Sequence, residues 1–186
     1  MRKIVLVLSI ICCLFAVTIE SKGNTYCSPV HTPFAELLND YNMGGYIIVE
    51  GYFQQPTKSN DTSKLKVTRT SDASINIGEV YDVFEYGPFG SMCEMYEMSA
   101  NVSLELIGKE NPRLLILYKT RSKDGKLVTP IFWQSGVNAS KNKIVTQEYD
   151  NASSELLSYT STTSLKEIWK QISTKTELQV EWEKMK

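Results

Sequence analysis

Residues 46–53, YIIVEGYF, decide the fold of this chain. β-Branched and aromatic residues fill the stretch, which is typical of a strand. Gly51 interrupts the pattern, and a residue without a side chain allows a β-bulge or a sharp bend at that point. The glycines at 44 and 45 separate this strand from whatever precedes it. We therefore predict a bent strand that begins at Tyr46.

Other regular elements are predicted around this strand. Residues 34–41 carry apolar side chains at helical spacing, so we expect a short helix there. We expect the last two strand-like segments to form a hairpin, because Asp124 and Gly125 tolerate the positive φ of a tight turn. Five strands with a helix before the first suggest a small closed barrel or a sandwich. The strand-like segments after residues 46–53 cover residues 64–70, 79–86, 113–120 and 126–133.

The composition changes after Val137. Residues 138–163 are rich in Ser, Thr and Asn and show little apolar periodicity, so we predict a polar linker there. Ser164 and Glu167 form a capping-box pattern that predicts the start of a helix. We therefore assign residues 164–186 to a C-terminal helical segment, whose last residues alternate as a strand would.

The amino terminus has the pattern of a secretory signal peptide. Arg2 and Lys3 precede an unbroken apolar run over residues 4–17. This run is shorter than the ~20 apolar residues that span a bilayer, so we predict no stable membrane anchor. The small residues Ser21 and Gly23 suit cleavage after Gly23. We thus expect a signal peptide over residues 1–23 and a secreted, extracellular protein.

Charge argues against nucleic acid as a partner. The chain has 20 Lys and Arg against 21 Asp and Glu, and charges of both signs are interspersed. A phosphate backbone is bound by clusters of basic residues, which this chain lacks. The residues that follow the signal peptide fit one compact domain, and we assign residues 24–137 to it.

Two of the four cysteines, Cys12 and Cys13, belong to the signal peptide. The remaining Cys27 and Cys93 allow one intramolecular pairing, and an oxidising compartment favours it. Sequons of the Asn-x-Ser/Thr type predict glycan acceptors if the source is eukaryotic. These acceptors are Asn60, Asn101, Asn138 and Asn151.

No sequence pattern of an enzyme or a metal site stands out. His31 is the only histidine, and the neighbouring Cys27 is expected to be oxidised, which removes the thiolate that a nucleophile needs. There is no zinc-binding CxxC or HExxH and no phosphate-binding glycine loop. We therefore predict no catalytic residues, no metal and no cofactor, and we expect Trp133 and Trp169 to serve in packing.

The order of these motifs resembles a known family. CSPVH at residues 27–31 is followed by a short helix, the YIIVEGYF strand, SMC at 91–93 and LILYKTRSKDGKLVTP at 115–130. This series resembles the inhibitory domain of the tissue inhibitors of metalloproteinases and, more broadly, the netrin-like modules. The resemblance implies a mainly β fold, a five-stranded OB-like (netrin-like) barrel with flanking helices.

The resemblance also implies a contact ridge. In that family the first cysteine chelates the protease zinc through its amino group and carbonyl, and a second segment lies beside it. The chain has Thr25 where the family has its first cysteine, and cleavage after Gly23 leaves Asn24, Thr25 and Tyr26 ahead of Cys27. We therefore expect zinc chelation to be lost. The ridge residues implied here are Cys27, Ser28, Pro29 and Val30 with Ser91, Met92 and Cys93.

Two hypotheses of function follow. The first is a secreted protein-binding module whose partner is a metalloprotease or another extracellular protein. The second is a lipocalin-like barrel that carries a small ligand or a glycan. A flat apolar ridge at residues 28–30 and 91–92 would favour the first, and a deep pocket lined by Trp and Tyr would favour the second.

Overall fold

The computed structural model describes residues 34–55, 62–89, 94–100, 102–130, 137–138, 142–150 and 155–185. Strands dominate these ranges, so the prediction of a mainly β protein is confirmed. The helices are α1 (Phe34–Asp40) and α2 (Leu165–Thr174), with 3-10 turns at Tyr41–Met43 and Leu104–Leu106. The strands are β1 (Tyr46–Gln54), β2 (Lys64–Thr70), β3 (Val80–Phe89), β4 (Glu94–Ser99), β5 (Arg113–Tyr118), β6 (Lys126–Thr129), β7 (Val137–Asn138), β8 (Lys143–Asp150), β9 (Glu155–Ser161) and β10 (Trp182–Lys184).

The strands form two sheets. The larger sheet has the order β4-β3-β2-β1-β5 and is strongly curled into a half-barrel. Its neighbours are antiparallel, and β6 joins it by pairing with β3 in parallel. The smaller sheet is antiparallel and has the order β10-β9-β8-β7.

The bend predicted at Gly51 is confirmed. The register between β1 and β2 shifts between Glu50 and Gly51, as it does at a β-bulge. A side chain at position 51 would collide with the backbone carbonyl of Lys66 on β2, so glycine allows this close approach. The bulge helps β1 to pair with β2 on one edge and with β5 on the other while the sheet curls.

The hairpin predicted between the fourth and fifth of the expected strands is wrong. Asp124 and Gly125 do have positive φ, at 54° and 83°, but β5 already ends at Tyr118. The connection over residues 119–125 is therefore too long for a two-residue turn, and it carries β6 across to β3. Ser122 in this connection binds β6 instead, because its Oγ accepts a hydrogen bond from the Val128 N–H at 2.9 Å.

The prediction of a polar linker over residues 138–163 is also wrong, since β8 and β9 lie within it. Backbone hydrogen bonds between paired strands do not require apolar periodicity in the side chains. Of the β8 side chains whose burial is described, Ile144 and Thr146 are buried. Polar residues, among them the buried Thr146, interrupt the apolar ones in these strands, so no clear apolar period appears in the sequence.

Both predicted helices are confirmed, and they cover the outer face of the curled sheet. The Ser164 side chain accepts a hydrogen bond from the Glu167 N–H at 3.1 Å, as the capping-box pattern predicts. Side chains of both helices share one apolar cluster with Ile48 of β1 and with Leu114 and Ile116 of β5. Leu178 and Val180, which were expected in a terminal strand, are buried in that cluster. The strand itself, β10, begins only after them, at Trp182.

A second apolar cluster fills the concave side of the curled sheet. Alternate residues of β1 and β5 point into it, so these two strands are buried on both faces. Burial on both faces explains why the apolar run of β1 is nearly continuous rather than alternating. The members are Ile47, Val49, Phe53, Leu65, Val67, Ile75, Val83, Ala100, Leu115, Leu117 and Leu127.

Candidate functional site

The implied ridge falls outside the described residues. This holds for Cys27, Ser28, Pro29 and Val30, and equally for Ser91, Met92 and Cys93. The pairing of the two cysteines and the contact role of the ridge therefore stay predictions. The described chain resumes at Glu94, directly after Cys93, where β4 begins.

Strand β4 was not predicted from the sequence, and it forms an edge of the larger sheet. It pairs with β3 from Phe84↔Ser99 to Phe89↔Glu94, and among the described strands its other edge is unpaired. Its sequence, EMYEMS, does not alternate between apolar and polar residues, so the usual strand signal is missing.

The side chains of β4 explain that missing signal. Met95 is 49% exposed, and Tyr96 and Met98 are each 47% exposed. Successive side chains of a strand point to opposite faces, so Tyr96 and Met98 share one face and Met95 lies on the other. An unpaired edge with large apolar side chains on both faces is a surface suited to binding another polypeptide.

An ionic cluster lies at the middle of β4. The Glu97 carboxylate accepts hydrogen bonds from Lys126 Nζ at 2.5 Å and from an Arg121 guanidinium N–H at 3.3 Å. Arg121 also stacks over the Tyr86 ring, 3.6 Å from its centroid. The hydrogen bond from Lys126, helped by its charge and by Arg121, lowers the pKa of Glu97. These contacts attach the edge strand to β3, β6 and the connection before β6.

Three tyrosines lie between β1, β5 and β3. The ring centroids of Tyr46 and Tyr118 are 5.5 Å apart. Tyr86 and Tyr118 pack edge to face, with their ring centroids 5.8 Å apart and their ring planes at 90°. Burial, and then the neighbouring tyrosines, raise the pKa of Tyr118. Tyr118 and Tyr86 meet where β5 approaches β6 and β3, so the aromatic contact helps to close the half-barrel.

Of the two tryptophans that were expected to serve in packing, the structure describes Trp169. Trp169 is buried in the cluster beneath α2, which confirms its packing role. Its indole N–H donates to the Glu50 carboxylate at 2.8 Å, and Arg69 lies 5.0 Å from its ring centroid. Trp182 contacts Phe34 edge to face at 6.3 Å. Trp133 lies outside the described residues.

Of the four predicted glycan acceptors, one lies in the described part of the chain. Asn60, Asn101 and Asn151 lie outside the described residues, and Asn138 lies in β7, paired with Lys143 of β8. Within the described ranges, no three His, Cys, Asp or Glu residues are grouped so as to hold a metal ion. Neither described helix has the length and apolar character needed to cross a bilayer.

No protein-family model matches this chain, and no curated protein or solved structure is significantly similar to it. The sites described above therefore rest on the geometry of the chain itself.

Proposed function

We propose that this chain is a secreted protein-binding module built on an OB-like, netrin-like barrel. Its contact surface is the predicted ridge, residues 27–30 and 91–93, extended by the edge strand β4. Its partner is an extracellular protein such as a metalloprotease. The observation that carries the proposal is the exposure of Met95, Tyr96 and Met98 on a sheet edge that begins one residue after Cys93.

The strand order supports the OB-like part of this proposal. Taken from β6, the order is β6-β3-β2-β1-β5, which is a five-stranded arrangement with one parallel contact. Among the described residues β5 and β6 share no ladder of hydrogen bonds, so the arrangement is open at that point. A five-stranded, partly open barrel with a crossover connection is the architecture of OB folds.

The position of the edge strand supports protein binding. An exposed strand edge offers unpaired N–H and C=O groups, and side chains on both faces add contacts to a partner that extends the sheet. Methionine adapts its shape to a partner surface, and tyrosine adds apolar area at a low cost in side-chain entropy. The ionic contacts of Glu97 are already satisfied within the chain, so a partner strand need not supply a counter-charge there.

The lipocalin-like alternative has less support. Up-and-down barrels have antiparallel neighbours throughout, whereas β3 and β6 are parallel. A carrier of that type holds its ligand inside the barrel, but apolar side chains from β1, β2, β3, β5 and β6 fill the concave side of this sheet. Neither feature is expected of an interior ligand cavity.

The proposal can be tested with one titration of two forms of the protein. One form begins at Asn24 and the other is trimmed to begin at Cys27, and each is added to the catalytic domain of a secreted metalloprotease. Binding is measured by biolayer interferometry and inhibition by cleavage of a fluorogenic peptide. We expect the Asn24 form to bind without blocking the active-site zinc, because an amide nitrogen within a chain is a poor zinc ligand.

The form that begins at Cys27 is compared with the Asn24 form in the same inhibition assay. A free amine on Cys27 can approach the metal, so this form should gain whatever inhibition the scaffold supports. Tight zinc-dependent inhibition by the Asn24 form would contradict the predicted loss of chelation. Absence of binding by both forms would contradict the choice of a metalloprotease as partner.

A further inference from the structure

A cleft of about 660 Å³ opens at the end of the curled sheet where four separate segments meet. The first wall comes from the turn after α1 and the start of β1, and the others come from the turn after β2, from the residue after β5 and from the end of α2. The lining residues are Tyr41, Asn42, Gly44, Tyr46, Ser71, Asp72, Lys119, Ile172, Lys175, Thr176 and Glu177. Neither β3 nor β4 lines it, so the cleft is distinct from the proposed protein-binding edge. Its volume lies within the range of small-molecule sites.

Hydrogen bonds between the segments fix the walls of the cleft. The Asn42 side chain donates to the Leu178 carbonyl at 3.0 Å and accepts from the Leu178 N–H at 2.7 Å. The Ser71 hydroxyl accepts from the Ile48 N–H at 2.9 Å, and the Lys119 N–H donates to the Gly45 carbonyl at 3.1 Å. A site held in this way requires little ordering when a ligand binds.

Several polar groups of the cleft can form further hydrogen bonds. Within the described part of the chain, the Tyr46 hydroxyl and the side chains of Lys175 and Glu177 have neither a hydrogen bond nor an ion pair. Lys119 has one partner, Asp72, at 3.2 Å. These groups include both donors and acceptors that face the same opening.

The protonation of two lining residues is fixed by their surroundings. Burial, and then the charge of Asp40, raise the pKa of Tyr46, so its hydroxyl remains a neutral donor at neutral pH. Hydrogen bonds from Ser74, followed by the contact with Lys119, lower the pKa of Asp72, so its carboxylate remains a charged acceptor.

We propose that this cleft binds a short neutral oligosaccharide. The two lysines that line it are balanced by Asp72 and Glu177, so the cleft offers no net charge to attract an ion. Sugar hydroxyls donate and accept hydrogen bonds, which matches the mixed set of lining groups. The rings of Tyr41 and Tyr46 add apolar surface for the C–H face of a sugar.

The test is a titration of ¹⁵N-labelled protein followed by NMR. Maltotriose, mannotriose and N,N′-diacetylchitobiose are added separately, each to about 10 mM, a concentration that detects dissociation constants in the millimolar range. Sodium sulfate is added in a fourth titration. We expect at least one sugar, and not sulfate, to shift the amide signals of residues 42–46, 71–72, 119 and 175–177 in a saturable way.

Matched variants locate the contacts. We expect Tyr46→Ala to raise the dissociation constant of the sugar by about tenfold or to abolish binding, and we expect the same of Glu177→Ala, at an exposed position. Tyr52→Ala, on the same strand but outside the cleft, should leave it unchanged, and the amide spectra report whether each variant is folded. The proposal is overturned if no sugar shifts these amides, if sulfate shifts them instead, or if Glu177→Ala binds as the wild type does.

Discussion

The indole N–H of Trp169 on α2 donates a hydrogen bond to the Glu50 carboxylate on β1 at 2.8 Å, across 119 residues of sequence. This contact ties the C-terminal helix to β1, an inner strand of the larger sheet. Arg69 of β2, the cross-strand neighbour of Glu50, lies over the same indole. The helical segment and the curled sheet are thereby joined by a specific polar contact as well as by apolar packing.

Trp169→Phe should lower the free energy of unfolding by about 2–4 kcal/mol. The variant keeps an aromatic ring but loses a hydrogen bond to a charged group and leaves a small cavity. Glu50→Gln should cost less, about 1 kcal/mol, because an amide oxygen still accepts from the indole N–H. Urea unfolding of both variants and of the double variant measures the coupling, and independent effects would contradict the contact.

Gly51→Ala should destabilise the fold by about 1–3 kcal/mol, because the new methyl group meets the Lys66 carbonyl and the strands must separate. Gly45→Ala is the matched control, since a side chain there meets no atom within 4 Å. Thermal and urea unfolding compare the two variants. Equal stability of both would show that the close approach at the bulge is absent in solution.

Stability should fall in acid partly through Glu97. Its pKa is lower in the folded chain than the ordinary value of 4.5, chiefly through the hydrogen bond from Lys126. The unfolded chain therefore binds a proton first as the pH falls, so this contribution is complete above pH 4.5 and is lost as the pH drops through the lower folded value. Glu97→Gln should remove about 0.5–1 kcal/mol at pH 7 and little at pH 2.

The pH dependence is measured by urea unfolding of the wild type and of Glu97→Gln between pH 7 and pH 2. Glu183→Gln serves as the control, because its ion pair with Lys143 is long, at 3.9 Å, and the side chain of Glu183 is largely exposed. A difference between wild type and Glu97→Gln that stays constant with pH would contradict the assigned linkage.

Cys27 and Cys93 should form a disulfide in the secreted protein. The prediction rests on the oxidising compartment and on the loss of Cys12 and Cys13 with the signal peptide. In the chain-entropy model such a bridge contributes on the order of 4 kcal/mol. Peptide mapping by mass spectrometry without reduction should find the two cysteines in one cross-linked peptide, and the prediction fails if both carry a free-thiol label.

The strands with a clear sequence signal were predicted, and those without one were not. β1, β2 and β5 bury alternate or continuous apolar side chains, and the helix at Leu165 has both a cap and an apolar face. β4 exposes apolar side chains on both faces and therefore shows no period, and residues 143–161, which contain β8 and β9, are rich in polar residues. The parallel pairing of β6 with β3 joins residues that are far apart in the sequence, such as Val83 and Leu127, and local patterns do not encode it.

The candidate site also combines residues that were predicted from the sequence with residues that only the structure brings together. The ridge residues came from a resemblance carried by CSPVH and SMC, and the structure leaves them as predictions. The β4 edge and the ionic cluster of Glu97 with Lys126 and Arg121 required the fold, because these residues come from separate parts of the sequence. No spacing rule links position 97 to positions 121 and 126.

The most direct test of the account is the affinity of the Asn24 form for the metalloprotease catalytic domain when β4 is altered. Met98→Ser removes an exposed apolar side chain from the edge strand, and Met43→Ser removes one that is 80% exposed in the turn after α1. The affinity of each variant is measured by biolayer interferometry. We predict that Met98→Ser weakens binding about tenfold and that Met43→Ser leaves it unchanged. Equal affinity of the wild type and Met98→Ser, or loss of binding in Met43→Ser alone, would contradict the assignment of β4 as the protein-binding edge.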